Sequence, residues 1–143
     1  MKTMKITLIL AAFLFCGQGL FAQEMGPKKY ENPNWIYVSF IKFHPGKKDK
    51  AVKIIDDYFA KADANAGISP PTVLNMTTGD FDFVVVWKLE EGIETLNYEI
   101  SPDDAKWYAE MGKLAGGMDK AEEVMQEFFS YVEMWKTEIG RME

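Results

Sequence analysis

Cysteine and histidine are almost missing from this sequence, since each occurs once in 143 residues. The single cysteine, Cys16, lies in an N-terminal segment that we expect to be removed. The remaining chain then has no disulfide, no thiolate metal ligand and no cysteine nucleophile, so a hydrophobic core must stabilise the fold. The single histidine, His44, has lysines as its charged neighbours in IKFHPGKK. We interpret it as a solvent-facing turn residue rather than a catalytic base or ligand.

Residues 1–22 have the composition of a secretory signal peptide. Lys2 and Lys5 precede the apolar run ITLILAAFLF, and Ala22 is a small residue suited to cleavage before Gln23. The apolar run is too short to span a bilayer stably. We therefore predict a secreted or periplasmic protein that is not inserted in a membrane after cleavage.

Positive charge is also scarce. The chain has 16 Lys and Arg residues against 22 Asp and Glu residues, which gives a net charge of −6. Removal of residues 1–22 takes away two lysines and no acidic residue, so the net charge becomes −8. Such a chain repels phosphate-rich polymers, and nucleic acid is not an expected partner.

The rest of the chain is predicted to form one domain. Residues 23–34 are polar and contain prolines, which indicates a loose lead-in. Residues 35–143 contain no Ser/Gly-rich linker, no repeat and no second long apolar segment that would divide them.

The first half of this domain predicts three strands and one helix. WIYVSFIKF, residues 35–43, is rich in β-branched and aromatic residues and predicts a strand with apolar side chains on both faces. Residues 51–67 have apolar side chains at helical spacing, and Gly67 is suited to end that helix. TVLNMTT and FDFVVVWKL predict two more strands, joined by a hairpin at Gly79-Asp80.

The second half is helical before it becomes ambiguous. Ser101 as an N-cap predicts a helix that closes at Gly116-Gly117, and a further helical segment covers roughly residues 119–128. Tyr131–Ile139 fits either a continued helix or a strand. A strand would close an otherwise open sheet edge and complete a split β-α-β-β-α-β arrangement. We therefore favour an α+β, ferredoxin-like fold with a four-stranded antiparallel sheet and its helices on one face.

Three stretches resemble the dimeric α+β barrel superfamily, a ferredoxin-like group that includes antibiotic-biosynthesis monooxygenases, stress-responsive barrel proteins and uncharacterised secreted bacterial proteins. They are VSFIKFHPGKKDKAVKII, GDFDFVVVWKLEE and YVEMWKTEI. None is a catalytic signature, so the resemblance implies a fold and a homodimer rather than an activity. Haem-binding members of the superfamily use a histidine from a helix, and no predicted helix here has one. We expect no cofactor.

The predicted strands support a homodimer independently. If helices cover one face of the sheet, the other face still carries large apolar side chains. Leaving such surface in water costs roughly 25 cal/mol per Å². A second copy packed face to face across a two-fold axis would close a barrel-like core.

Carboxylates do not predict a metal site. The acidic pairs Asp56-Asp57, Asp103-Asp104 and Glu122-Glu123 are adjacent in sequence, and adjacent side chains diverge by about 100 degrees on a helix.

The more promising set of candidate site residues consists of polar atoms among aromatic side chains, which would suit a flat apolar ligand between sheet and helices. Its candidate residues are Tyr37, Ser39, Asn75, Trp87, Tyr98, Trp107 and Tyr108.

Three hypotheses follow from these patterns. The first is a secreted or periplasmic homodimer that binds a small, largely apolar molecule, with catalytic activity left open. The second is a cofactor-independent monooxygenase or isomerase acting on an aromatic compound, which would bring Asn75, Trp87 and Trp107 into one enclosed cavity. The third is a purely structural dimer with a solid interior.

Overall fold

A computed structural model describes residues 26–143. The predicted signal peptide, residues 1–22, lies outside the described residues. Residues 26–31 are irregular and exposed, whereas the compact unit Asn32–Glu143 contains the helices and strands described below.

Four strands and four α-helices form this unit, together with one π-helical turn and one 3-10 helix. In chain order they are β1 (Asn34–Phe43), α1 (Lys48–Ile54), the π-helical turn (Ile55–Phe59), α2 (Ala60–Ala66), β2 (Thr72–Asn75), β3 (Phe83–Lys88), the 3-10 helix (Gly92–Asn97), α3 (Pro102–Ala115), α4 (Met118–Ser130) and β4 (Val132–Met142).

The four strands form one antiparallel sheet in the order β2-β3-β1-β4. This confirms the predicted α+β, ferredoxin-like fold and the predicted closing strand. The strand begins at Val132, because the backbone of Tyr131 still closes α4 through a hydrogen bond from its N–H to the Phe128 carbonyl.

The helix ends predicted in the second half are confirmed. The Ser101 hydroxyl accepts a hydrogen bond from the Asp104 N–H at 3.1 Å, and the Asp104 carboxylate accepts one from the Ser101 N–H at 3.2 Å. This capping box satisfies backbone donors that the first turn of a helix leaves unpaired. Gly116 ends α3 in the left-handed region, with φ of 83°.

Two details differ from the sequence prediction. The helix expected over residues 51–67 is divided by the π-helical turn, whose Tyr58 and Phe59 contact both apolar clusters of the protein. The strands β2 and β3 are shorter than predicted and are joined by residues 76–82 rather than by a tight hairpin. Asp82 explains why the connection between β2 and β3 is not a tight hairpin. Its carboxylate accepts a hydrogen bond from the backbone N–H of Phe43, and its backbone N–H donates to the Ile41 carbonyl, both at 2.9 Å.

One face of the sheet, here called the helix-side face, carries the main core. Phe43 and Phe83 pack edge to face on it, and Phe128 of α4 covers them. A second cluster, formed by Ala62, Met111 and Ala121, joins the helices to one another. The buried members of the main cluster are Ile41, Phe43, Ala51, Ile54, Phe83, Val85 and Phe128.

The opposite face, here called the open face, remains partly exposed. Val38 and Phe40 of β1 alternate with the buried residues of the helix-side face, and Val84 and Val86 pair with them on β3. In the single chain these four apolar side chains are only partly buried.

Candidate functional site

Six uncharged side chains lie together on the helix-side face at the edge of the main core, against which Trp87 packs. The strand register places Tyr37 of β1 between Trp87 and Ile139, and it pairs Ser39 with Thr137 of β4. We call this group the aromatic patch. Its members are Tyr37, Ser39, Trp87, Trp135, Thr137 and Ile139.

Two indole rings dominate the aromatic patch. Trp87 and Trp135 lie on either side of β1, with ring centroids 6.2 Å apart and planes inclined by only 19°. Ser39 between them is small, so β1 does not separate the rings with a bulky side chain. Trp135 is 38% exposed, and it also contacts the rings of Phe128 and Phe129 at the end of α4. The pair therefore offers a flat apolar surface to which solvent has access.

A hydrogen-bonded group lies beside the indoles. Trp135 Nε1 donates to Thr137 Oγ1 at 2.9 Å, and the hydroxyl oxygens of Ser39 and Thr137 share a hydrogen bond at 2.7 Å. Ser39 is only 2% exposed, whereas Thr137 is exposed. Aromatic and apolar side chains with a few oriented polar atoms are the usual lining residues of a small-molecule site.

The structure brings together three of the seven residues predicted from the sequence, namely Tyr37, Ser39 and Trp87. Trp107 and Tyr108 lie on α3, with their rings 5.3 Å apart. A chain of ring contacts through Phe59 and Phe128 separates Trp107 from Trp135 and the aromatic patch.

The other two predicted residues lie elsewhere. Asn75 ends β2, where its side-chain oxygen accepts a hydrogen bond from Lys48 Nζ at 2.8 Å. Lys48 also approaches Asp82 at 3.8 Å, so Asn75 belongs to a polar corner that ties β2 to α1. Tyr98 follows the 3-10 helix and is exposed.

Sequence reasoning missed Trp135, Thr137 and Ile139. Alternation along a closing strand places Trp135 and Thr137 on the same face, which is a signal that the sequence contains. Their position opposite Ile41 and Ser39 depends on the pairing of β1 with β4 and on the register shift within that pairing at Lys42/Phe43. That register is a tertiary property.

The side chain of His44 is exposed in the turn after β1. The backbone N–H of the same residue donates a hydrogen bond to the Tyr131 carbonyl. Over residues 26–143, no three or more His, Cys, Asp or Glu side chains gather where they could hold a metal ion. Within the same range, no helix has the length and apolar character needed to cross a membrane.

The comparisons with known proteins agree on the fold. A NIPSNAP family protein from Agrobacterium tumefaciens strain C58 superimposes with a TM-score of 0.55 at 9% sequence identity, over 82% of this chain and 92% of that one. A second NIPSNAP family protein of unknown function from the same strain gives a TM-score of 0.53 at 12% identity, over 81% of this chain and 94% of that one. This chain shares its α+β fold with NIPSNAP family proteins. No family model matches its sequence, and no curated protein does.

Asp63 is a second polar feature, apart from the aromatic patch. It lies in α2 beside the helix cluster, and Trp107 on α3 donates a hydrogen bond to its carboxylate. Burial raises the pKa of Asp63 from 3.8 to about 6, although the hydrogen bond from Trp107 opposes that shift. The folded chain therefore keeps a proton on Asp63 at pH values where the unfolded chain has lost it.

Replacing Asp63 by Asn is expected to stabilise the protein at pH 8 and to have little effect at pH 3.5. Between about 3.8 and 6 the folded state binds more protons than the unfolded state, so stability falls as the pH rises through this window. An amide carries no charge and still accepts from Trp107. Because solvent reaches this half-buried carboxylate, we expect a gain of only about 1 kcal/mol.

Urea denaturation at the two pH values measures this effect. Asp56→Asn, in the adjoining π-helical turn, is the matched control, because Asp56 is exposed. Equal gains for Asp63→Asn at pH 3.5 and pH 8 would show that the charge of Asp63 has no part in stability.

Proposed function

We propose that this protein is a secreted or periplasmic homodimer of the dimeric α+β barrel type, and that its aromatic patch binds a small, largely apolar molecule. The observation that carries the proposal is the pair of nearly parallel, partly exposed indoles of Trp87 and Trp135 next to the buried Ser39 hydroxyl. Single exposed aromatic side chains are common on protein surfaces, but two adjacent, nearly parallel rings left partly in water form grouped apolar surface, which is typical of a binding site. Retained exposure therefore supports a binding role.

Two other parts of the proposal have separate support. Residues 1–22 have the charge and apolar pattern of an export signal. The apolar side chains of the open face, Val38, Phe40, Val84 and Val86, support a homodimer, since a second sheet would cover them.

The enzyme alternative has less support. A monooxygenase or isomerase site built from Asn75, Trp87 and Trp107 needs these side chains around one ligand. Asn75 instead binds Lys48, Trp87 stacks with Trp135, and Trp107 packs against Phe59. The binding proposal uses only Trp87 of these three residues.

Binding of the neutral fluorescent probe N-phenyl-1-naphthylamine tests the proposal. The purified protein is expected to increase the fluorescence of the probe, and Trp135→Ala is expected to weaken the affinity about tenfold. The loss of one stacked aromatic contact and of its buried area has this magnitude.

Tyr108→Ala is the matched control for Trp135→Ala. Tyr108 is 39% exposed and aromatic, like Trp135, but it lies on α3. The control should bind the probe as the unmodified protein does. Equal affinities for both variants, or no binding to the unmodified protein, would contradict a binding role for the aromatic patch.

A further inference from the structure

We propose that the ligand of the aromatic patch is a neutral planar molecule with an acceptor oxygen, such as a carbonyl group, which takes a hydrogen bond from the Thr137 hydroxyl. This inference rests on the proposed function and specifies its ligand class. All six members of the aromatic patch are uncharged, and Arg141, further along the same face of β4, forms an ion pair with Glu143. A charged ligand would lose hydration there without gaining a charged partner.

The hydrogen bonds of the aromatic patch have a definite direction. An indole N–H can only donate, so Thr137 Oγ1 accepts from Trp135 Nε1 at 2.9 Å. The hydroxyls of Ser39 and Thr137 carry one proton each. One of these protons lies between the two oxygens, which are 2.7 Å apart, and the other points elsewhere.

Burial decides which hydroxyl keeps the outward proton. If Thr137 donated to Ser39, the Ser39 proton would lack an acceptor at a position that is 2% exposed. A buried hydroxyl proton without an acceptor is costly, because it has lost its hydrogen bond to water and gained none in the protein. If Ser39 donates instead, the second proton belongs to Thr137, which is exposed and can direct it outward. The second arrangement is therefore favoured.

In this arrangement the Thr137 oxygen accepts two hydrogen bonds, from Trp135 and from Ser39. Both lone pairs are then occupied, so the hydroxyl can only donate to a ligand. A planar ring that stacks on the Trp135 indole lies close to this hydroxyl, since Trp135 Nε1 is 2.9 Å from Thr137 Oγ1. The aromatic patch thus combines a stacking surface with one oriented donor.

Equilibrium dialysis with coumarin and naphthalene tests the role of Thr137. Both probes are neutral, planar and bicyclic, but only coumarin has a carbonyl group. Thr137→Val keeps the shape of the side chain and removes the donor. It is expected to weaken coumarin binding about fivefold and to leave naphthalene binding within about twofold, since one net hydrogen bond contributes about 1 kcal/mol. Thr137→Ser should restore coumarin binding.

Thr78→Val is the matched control, because Thr78 is exposed between β2 and β3 and outside the aromatic patch. Circular dichroism checks that all variants fold. Equal changes for coumarin and naphthalene in Thr137→Val, or no change for either, would overturn the inference and leave the proposed function intact. If neither probe binds the unmodified protein, the proposed function is overturned as well.

Ser39→Ala gives a second, independent measurement of the hydrogen-bond direction. This change frees one lone pair on Thr137 Oγ1, so the hydroxyl can then accept from a ligand. Indole, a planar bicyclic donor with no acceptor oxygen, should bind Ser39→Ala severalfold more tightly than the unmodified protein. Unchanged or weaker indole binding would contradict the assigned direction.

Discussion

Phe128→Ala is expected to destabilise the folded protein by about 3–5 kcal/mol, a large part of the 5–15 kcal/mol that stabilises an ordinary domain. Phe128 is only 2% exposed. Its ring contacts the rings of Phe43, Phe59 and Trp135, so it joins α4 to the sheet and to the π-helical turn. Alanine would leave a cavity where these elements meet. Urea denaturation followed by tryptophan fluorescence measures the loss.

The adjacent Phe129 provides a matched control. It is the same residue type on the same helix, but it is 55% exposed and contacts the rings of Phe128 and Trp135 from outside the core. Phe129→Ala should cost about 1 kcal/mol, the value of a surface aromatic contact. Similar losses for the two variants would contradict the main core as described.

Val38→Glu is expected to convert the proposed homodimer into a folded monomer. Val38 lies in the middle of the open face, on the central strand β1, and pairs with Val86 of β3. Val38 also pairs with Glu138 of β4, whose ion-pair partner is Lys136. Across a two-fold interface the new carboxylate would therefore be buried beside a like charge, which costs several kcal/mol. A cost of about 4 kcal/mol weakens association about a thousandfold. Light scattering should show the mass falling from twice that of the chain to the mass of a single chain.

Ile100→Glu is the control for Val38→Glu. Ile100 is an exposed apolar residue outside the sheet, between the 3-10 helix and α3, so its variant should remain dimeric. Because Val38 is already partly exposed in a single chain, its variant should keep its circular dichroism spectrum. A monomeric unmodified protein at micromolar concentration, or a dimeric Val38→Glu variant, would contradict the proposed interface.

Local sequence signals predicted the order of elements because each has a local physical cause. Ser101 provides a hydroxyl to unpaired helix N–H groups, and Gly67 reaches the left-handed conformation with φ of 70°. The closing strand followed from fold logic, since an open sheet edge needs a partner. The π-helical turn was not predicted, because it meets two apolar clusters at once and the sequence pattern describes only one helical face.

The aromatic patch was only partly predictable. Tyr37 and Ser39 alternate on one strand, so period-two spacing places them on one face. Trp135 and Thr137 are almost a hundred residues further along the chain, and the β-bulge in their pairing sets which residues they meet. No local pattern contains that register. For the same reason Trp107 and Tyr108, which the sequence grouped with Tyr37, pack on a helix layer instead.

The sequence by itself determined the order of the helices and strands. It also determined the acidic charge and the scarcity of cysteine and histidine. These properties depend on residue type and on short spacing. Tertiary structure alone decided which aromatic side chains meet, because strand register and helix packing join residues that are distant in sequence. The indole pair of Trp87 and Trp135, and the hydroxyl pair beside it, exist only once β4 is paired with β1.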